Sequence, residues 1–334
     1  MRVLACVLAL LALICVSSVS AAPHTLCPQN ASLGSVRFVR AGHEHRVSLV
    51  TCVDHTLGRA SPSKPGPLHS TDARFTASIR ASGSGRSAKE TIWVTDRRSG
   101  RSRPIFSETE YYKQIGPGDT PGPIVLLRFS TDDRWLFFTI DPGGSNSIAA
   151  DGLVLRVVSA AGGAVHKLGI ALRYPDYLTW CAGRLVFIGG GDRVAIHGKR
   201  LLIASPPDWR PRPLWSDRSR SFATPACEPG GRSVAVLSQR SSDDANFFAT
   251  RWQLWRVGLD GSRQELDAPP AGWADEAPRW SHDGRSLLFV RERNGYGRLM
   301  LQDSGHLYGP IANLGYGLGY YGYHDWALHW SAGA

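Results

Sequence analysis

One cassette recurs along this chain: an aromatic, then Ser281-His282-Asp283-Gly284-Arg285, then the apolar run Ser286-Leu287-Leu288-Phe289-Val290. That repetition constrains the fold more than any other feature, because a chain of similar units buries its apolar surface between units. Near copies are Ser70-Thr71-Asp72-Ala73-Arg74 before FTASIR and Ser130-Thr131-Asp132-Asp133-Arg134 before WLFFTI. Glu228-Pro229-Gly230-Gly231-Arg232 before SVAVLS is a degraded copy, and Ala182-Gly183-Arg184 before LVFIGG a shorter one. The residues at the Trp280 position are His69, Phe129, Trp180, Cys227, Trp280 and Trp330, in steps of 60, 51, 47, 53 and 50 residues.

The unit opening at Ile124 shows four strand-like runs, IVLLRFS, WLFFTI, LVLRVVS and AVHKLG, with Gly, Pro, Asp and Ser at the junctions. Long helical periodicity is absent. In the cassette, the Asp is placed to accept from the backbone two residues on, and the Gly takes positive φ, so the motif marks a hairpin. A single four-stranded sheet cannot bury its own face, and such units arranged radially cover one another as a β-propeller. The predicted fold is therefore all-β, a six-bladed propeller of four-stranded blades. Its predicted units are 66–108, 123–169, 176–216, 222–267 and 275–312. The sixth joins 35–62, which lacks a first strand, to 323–331, where HDWALHWS supplies one. Trp180, Trp280 and Trp330 are expected in the core between blades.

The Ser-x-Asp-Gly-Arg cassette with its preceding Trp resembles the TolB-like, WD-repeat-like propeller repeat of exported bacterial proteins, over nearly the whole chain after residue 21. The resemblance implies the propeller architecture and a protein-binding scaffold of the cell envelope. Related repeats also occur in propeller lyases and beside the catalytic halves of serine peptidases. Here no Gly-x-Ser-x-Gly elbow is present and no residues remain for a hydrolase domain.

The opening MRVLACVLALLALICVSSVSAAP reads as a signal peptide over residues 1–21, cleaved after Ala21, leaving one domain over 22–334 and a secreted or periplasmic location. No later stretch is apolar enough to span a bilayer. Of the six cysteines, Cys27, Cys52, Cys181 and Cys227 lie beyond the signal, an even number suited to disulfides in an oxidising compartment. Cys27–Cys52 would staple the tail to the first blade, and Cys181–Cys227 would join adjacent blades. The second pairing carries a caution, since Cys181 is one residue past the Trp280 position and Cys227 is on it, so the two point to opposite strand faces. The net charge of +10 comes from scattered arginines and does not indicate nucleic acid; anionic cell-wall polymers remain compatible with it.

Function on such scaffolds concentrates in loops. The residues leading into the innermost strands should line the channel mouth, together with the loops 142–152 and 238–251. This yields a candidate ligand-binding set of Asp176, Tyr177, Asp275, Glu276, Tyr323, His324 and Asp325, with Thr120 and Thr224 at equivalent positions. The bland alternative is that these side chains solvate a rim and cap turns. The tract LGYGLGYYGYHDW at 314–326 is either an aromatic platform or the connection that lets the last strand reach the first blade, and closure favours the connection. His43-Glu44-His45 has zinc-like spacing but no third ligand, and is read as a hairpin turn. Gly189-Gly190-Gly191 lacks the Lys-Ser/Thr end of a phosphate loop. The expectation is a monomeric, non-enzymatic binder of a protein, peptide or cell-wall polymer, with no metal or other cofactor. The alternative is a polysaccharide lyase or glycosidase using channel carboxylates or a bound metal.

Overall fold

The three cassettes that keep both Ser and Asp are fixed by the same three hydrogen bonds. In the copies at Ser70, Ser130 and Ser281 the serine Oγ accepts from the amide five residues on, Phe75, Trp135 and Ser286, at 2.9, 3.0 and 2.9 Å. It donates to the Asp two residues on, Asp72, Asp132 and Asp283, at 3.0, 2.5 and 2.6 Å. That Asp accepts in turn from the amides of Arg74, Arg134 and Arg285. The residue at the Gly284 position takes positive φ throughout, including Ala73 at 56° and Asp133 at 58°. Left-handed backbone costs a residue with a Cβ about 1 kcal/mol. Replacing exposed Ala73 by Gly is therefore expected to stabilise the chain by about 0.5–1 kcal/mol, read as a higher urea midpoint at unchanged slope.

The computed structural model describes residues 27–28, 30–61, 66–84, 88–108, 124–141, 152–191, 194–242, 250–320 and 323–332. The expected signal 1–21 with its cut after Ala21, Thr120, and most of the loops at 142–152 and 238–251 lie outside the described residues. Six four-stranded antiparallel sheets form a β-propeller. Five follow the chain: Leu68–His69, Phe75–Ser82, Lys89–Asp96 and Ser102–Glu108 make the second blade; Ile124–Phe129, Trp135–Ile140, Leu153–Ser159 and Val165–Ala171 the third. Leu178–Cys181, Arg184–Gly189, Arg200–Ala204 and Arg212–Trp215 make the fourth; Arg220–Cys227, Ser233–Arg240, Gln253–Gly258 and Arg263–Asp267 the fifth. Ala274–Trp280, Ser286–Arg293, Tyr296–Asp303 and His306–Tyr316 make the sixth.

The remaining blade joins both ends of the chain. His329–Ser331 pairs with Ser35–Arg40, with Trp330 opposite Val36, and His43–Ser48 and Asp54–Arg59 complete the sheet. The expected closure is present, but its strand is shorter than 324–331: Tyr323–Asp325 instead folds back on Leu318–Tyr320 as a separate hairpin. Arg40 adds a second tie, donating to Asn313 O of the sixth blade at 2.6 Å and to Asp54 at 2.8 Å.

Strand alternation explains why the second strand of a blade reads as an unbroken apolar run. Successive side chains point to opposite faces, and both faces are covered by neighbouring blades. Leu136 and Phe138 join Ile92 and Val94 of the second blade, whereas Phe137 between them joins Leu185 and Phe187 of the fourth. Val186 and Ile188 face the fifth blade; Leu288 and Val290 pack with Phe38 and Val47 of the closing blade. Five of the six junctions are filled in this way. At the sixth, between the closing and second blades, no buried cluster forms among the described residues. Val39, Leu57 and Ile79 stay 51%, 52% and 36% exposed. The expectation that every blade is covered by the next fails there because DHTLGR and FTASIRAS supply too few apolar side chains to drive stacking.

Both disulfides form, with Cα–Cα separations of 5.9 Å for Cys27–Cys52 and 5.4 Å for Cys181–Cys227. The caution about opposite strand faces dissolves in the stacking. The residue at the Trp280 position faces the preceding blade, as Trp180 does, so Cys227 looks back at the fourth blade. Cys181, one position later in its own strand, faces forward to meet it. His43-Glu44-His45 is not a turn but the start of a strand. His45 is buried there, stacked on Phe38 and 3.0 Å from Asp54 Oδ1.

Candidate functional site

The first strand of several blades carries a bulge two or three residues before the aromatic position. Register shifts occur between Leu126 and Arg128, Ala223 and Ala226, and Glu276 and Arg279. Thr224 and Ala277 take φ of 41° and 49° at the second and third of these. A bulge re-aims the side chains around it. Here it separates what turns into the wall from what stays accessible.

Three of the expected mouth residues turn into the wall, for Tyr177, Asp275 and Glu276 are each fully buried. Asp275 takes the Nε of Arg291 at 2.9 Å, and the same guanidinium pairs with Asp267 at the end of the fifth blade. Burial first, and the charge of Glu276 second, push the Asp275 carboxyl from 3.8 up to about 8. Burial likewise lowers Arg291 and raises Tyr177 well above the usual phenol range. Glu276 Oε2 accepts from Trp326 Nε1 at 2.8 Å. The Trp326 ring lies against Gly297 and Gly317, where a Cβ would overlap it. The glycines of the 314–326 tract thus serve the connection to the closing strand, with Trp326 as its anchor. Tyr323, His324 and Asp325 are placed by backbone pairing with Tyr320, Gly319 and Leu318; their side chains fall outside the described part of the structure.

Asp176 stays partly accessible, as do two arginines that sequence reasoning missed. Arg128 of the third blade donates to Leu178 O at 2.5 Å, and Arg279 of the sixth reaches Asp176 at 3.7 Å while donating to Pro278 O at 2.9 Å. Desolvation and the nearby Arg279 lower the Arg128 guanidinium below its usual range, while Asp176 opposes both. Two cations and one carboxylate, brought by three blades, therefore face one another. Both arginines sit immediately before the aromatic position, beside Phe129 and Trp280. Alternation from that aromatic, pointing the preceding side chain the other way, was the signal that could have found them.

A cleft of about 380 Å³ lies elsewhere, where Trp280 and Trp330 approach Ser32 and His282 at the cassette end of the blades. Among the described residues no group of three His, Cys, Asp or Glu side chains is placed to hold a metal ion, and no helix is long and apolar enough to cross a membrane.

No protein-family model matches the sequence, and no curated protein does. Solved structures do. A putative TolB from Agrobacterium tumefaciens shares 14% identity over 85% of this chain and 90% of its own, with a TM-score of 0.47. TolB from Acinetobacter baumannii shares 14% over 83% of this chain, with a TM-score of 0.44, and the match spans 62% of that longer protein. An oligogalacturonate lyase from Vibrio parahaemolyticus shares 12% over 82% of this chain and 71% of its own, with a TM-score of 0.45. A propeller architecture does not by itself specify a function.

Proposed function

We propose that the chain is an exported, monomeric, non-enzymatic propeller scaffold that binds a protein, peptide or cell-wall polymer at the channel end lined by Arg128, Asp176 and Arg279. The observation that carries this reading is the charge arrangement there. Two guanidiniums from blades that are not neighbours share one partly accessible carboxylate, which leaves cationic character for an anionic or hydrogen-bonding group of a ligand to complete. Two disulfides in a chain of this size support an oxidising compartment. The carboxylates on which hydrolysis or elimination would draw, Asp275 and Glu276, are already engaged by Arg291 and Trp326 inside the wall.

The test is retention of fractionated envelope peptides and polymers on immobilised protein. An Arg279→Gln variant with an unchanged melting temperature should retain its ligand at least about tenfold less well, the loss of a desolvated charged contact being worth about 1.5–3 kcal/mol. Equal retention would remove the site from this channel end. Release of unsaturated uronates from polygalacturonate by the wild-type protein would overturn the non-enzymatic reading.

A further inference from the structure

A second cleft, of about 420 Å³, opens on the edge of the fifth blade, far along the sheet from the first strand. It is lined by Arg232 from the degraded cassette, Arg256 from the third strand, and Asp260, Ser262 and Arg263 from the last turn. Register places these groups together: Ser233 lies opposite Gly258, Val257 opposite Arg263, and the Leu259 amide donates to Arg232 O at 2.9 Å. Gly258 keeps the floor of the turn clear, because a Cβ there would collide with Asp260 and Ser262.

The three guanidiniums are not equivalent. Arg256 is held in place, Nη2 on Glu228 Oε1 at 2.6 Å and Nε on Ser233 Oγ at 2.9 Å, with its plane over Trp280. Arg263 lies over Trp215, and neither it nor Arg232 forms an ion pair with a described residue; both are exposed. The acid in the cleft is already satisfied, since Asp260 Oδ1 accepts from the amide and the hydroxyl of Ser262 at 2.9 and 2.7 Å. Its carboxyl is held below the usual range by those two donors, so it remains ionised and turned onto its own loop. What faces the cleft is then one guanidinium oriented by its pairing with Glu228 and two outside ion-pair distance of any described carboxylate, with Glu228 in the vicinity of Arg232 and Asp217 in that of Arg263.

We propose that this cleft is an anion-binding site for a phosphate group, free or within a phosphodiester polymer. The chemistry favours phosphate over carboxylate. A planar carboxylate offers two oxygens along one edge and is used up by one bidentate arginine, whereas a tetrahedral phosphate presents oxygens in three directions to guanidiniums arriving from three segments. The site is independent of the channel end and survives the failure of that assignment.

The experiment is calorimetric titration of the full mature chain at low salt with tripolyphosphate and with poly(glycerol phosphate), against polygalacturonate as a carboxylate of comparable charge. Either phosphate probe should bind, and a linear fall of log affinity with log salt is expected. Arg232→Gln/Arg263→Gln should weaken that binding at least tenfold at unchanged melting temperature. Arg59→Gln/Arg101→Gln, which removes the same charge from exposed positions on other blades, should weaken it less than twofold. Binding of tripolyphosphate alone identifies a free phosphate group, and binding of the polymer as well identifies a phosphodiester; both support the site. Equal binding of polygalacturonate, equal losses in the two double variants, or no binding of either phosphate probe overturns it.

Discussion

Trp326→Ala should lower the stability of the chain by about 3–5 kcal/mol, the cost of truncating a buried tryptophan to Ala. The ring is 5% exposed, fills the space left by Gly297 and Gly317, and stands three residues before the strand that closes the propeller. Its loss removes the anchor of that connection as well as the packing. Amide exchange should therefore accelerate first at Ser35–Arg40, whose inner partner His329–Ser331 is no longer held. Trp326→Phe keeps most of the apolar body and removes only the N–H given to Glu276, so it should cost about 1–3 kcal/mol. Unchanged exchange at Ser35–Arg40 in Trp326→Ala, or equal losses in the two variants, would show that the tryptophan neither anchors the closure nor acts through its indole N–H.

The propeller was legible because its determinants are local and periodic. A Ser-x-Asp-Gly-Arg turn needs only its own hydrogen bonds, and the copies at Ser70, Ser130 and Ser281 repeat them atom for atom. Even the strand that lacks a partner in sequence, SVRFVRAG, announced its need for one from the far end, and Trp330 beside Val36 supplies it. The length of that last strand was not legible, because the glycines of the 314–326 tract admit either an extended run or the hairpin that forms. The site was harder still. Position in the chain placed Asp275 and Glu276 at the start of an inner strand, but whether they face solvent depends on a bulge and on partners 16 and 50 residues away, Arg291 and Trp326. Neither partner carries a motif. Arg128 and Arg279 were hidden for the opposite reason, as ordinary arginines whose significance lies in meeting across blades.

Asp275 gives the second large effect, and its sign follows from burial. In the unfolded chain its carboxyl titrates near 3.8, whereas in the fold burial and Glu276 raise it to about 8. Between those values the folded state binds the extra proton, so this group's contribution is complete below pH 4 and is lost as pH rises towards 8. The turn carboxylates Asp72, Asp96, Asp217, Asp260 and Asp283 act the other way, since their hydrogen bonds depress them and their contribution is lost as pH falls below the ordinary carboxylate range. Stability should therefore peak at mildly acidic pH and decline by a few kcal/mol towards pH 8, and Asp275→Asn should flatten that decline. Arg291→Met sharpens the test. It leaves Asp267 without its buried cation beside a protonated Asp275, which should cost about 3–5 kcal/mol. Because Asp275, at about 8, is still largely protonated up to that pH and loses little by losing a cation, the deficit should be nearly the same at pH 5 and pH 8. Urea midpoints at the two pH values measure both effects. A wild-type chain that gains stability from pH 5 to pH 8, or an Arg291→Met deficit that grows by more than about 1 kcal/mol between them, would mean that Asp275 stays ionised throughout and that Arg291, not burial, sets its charge.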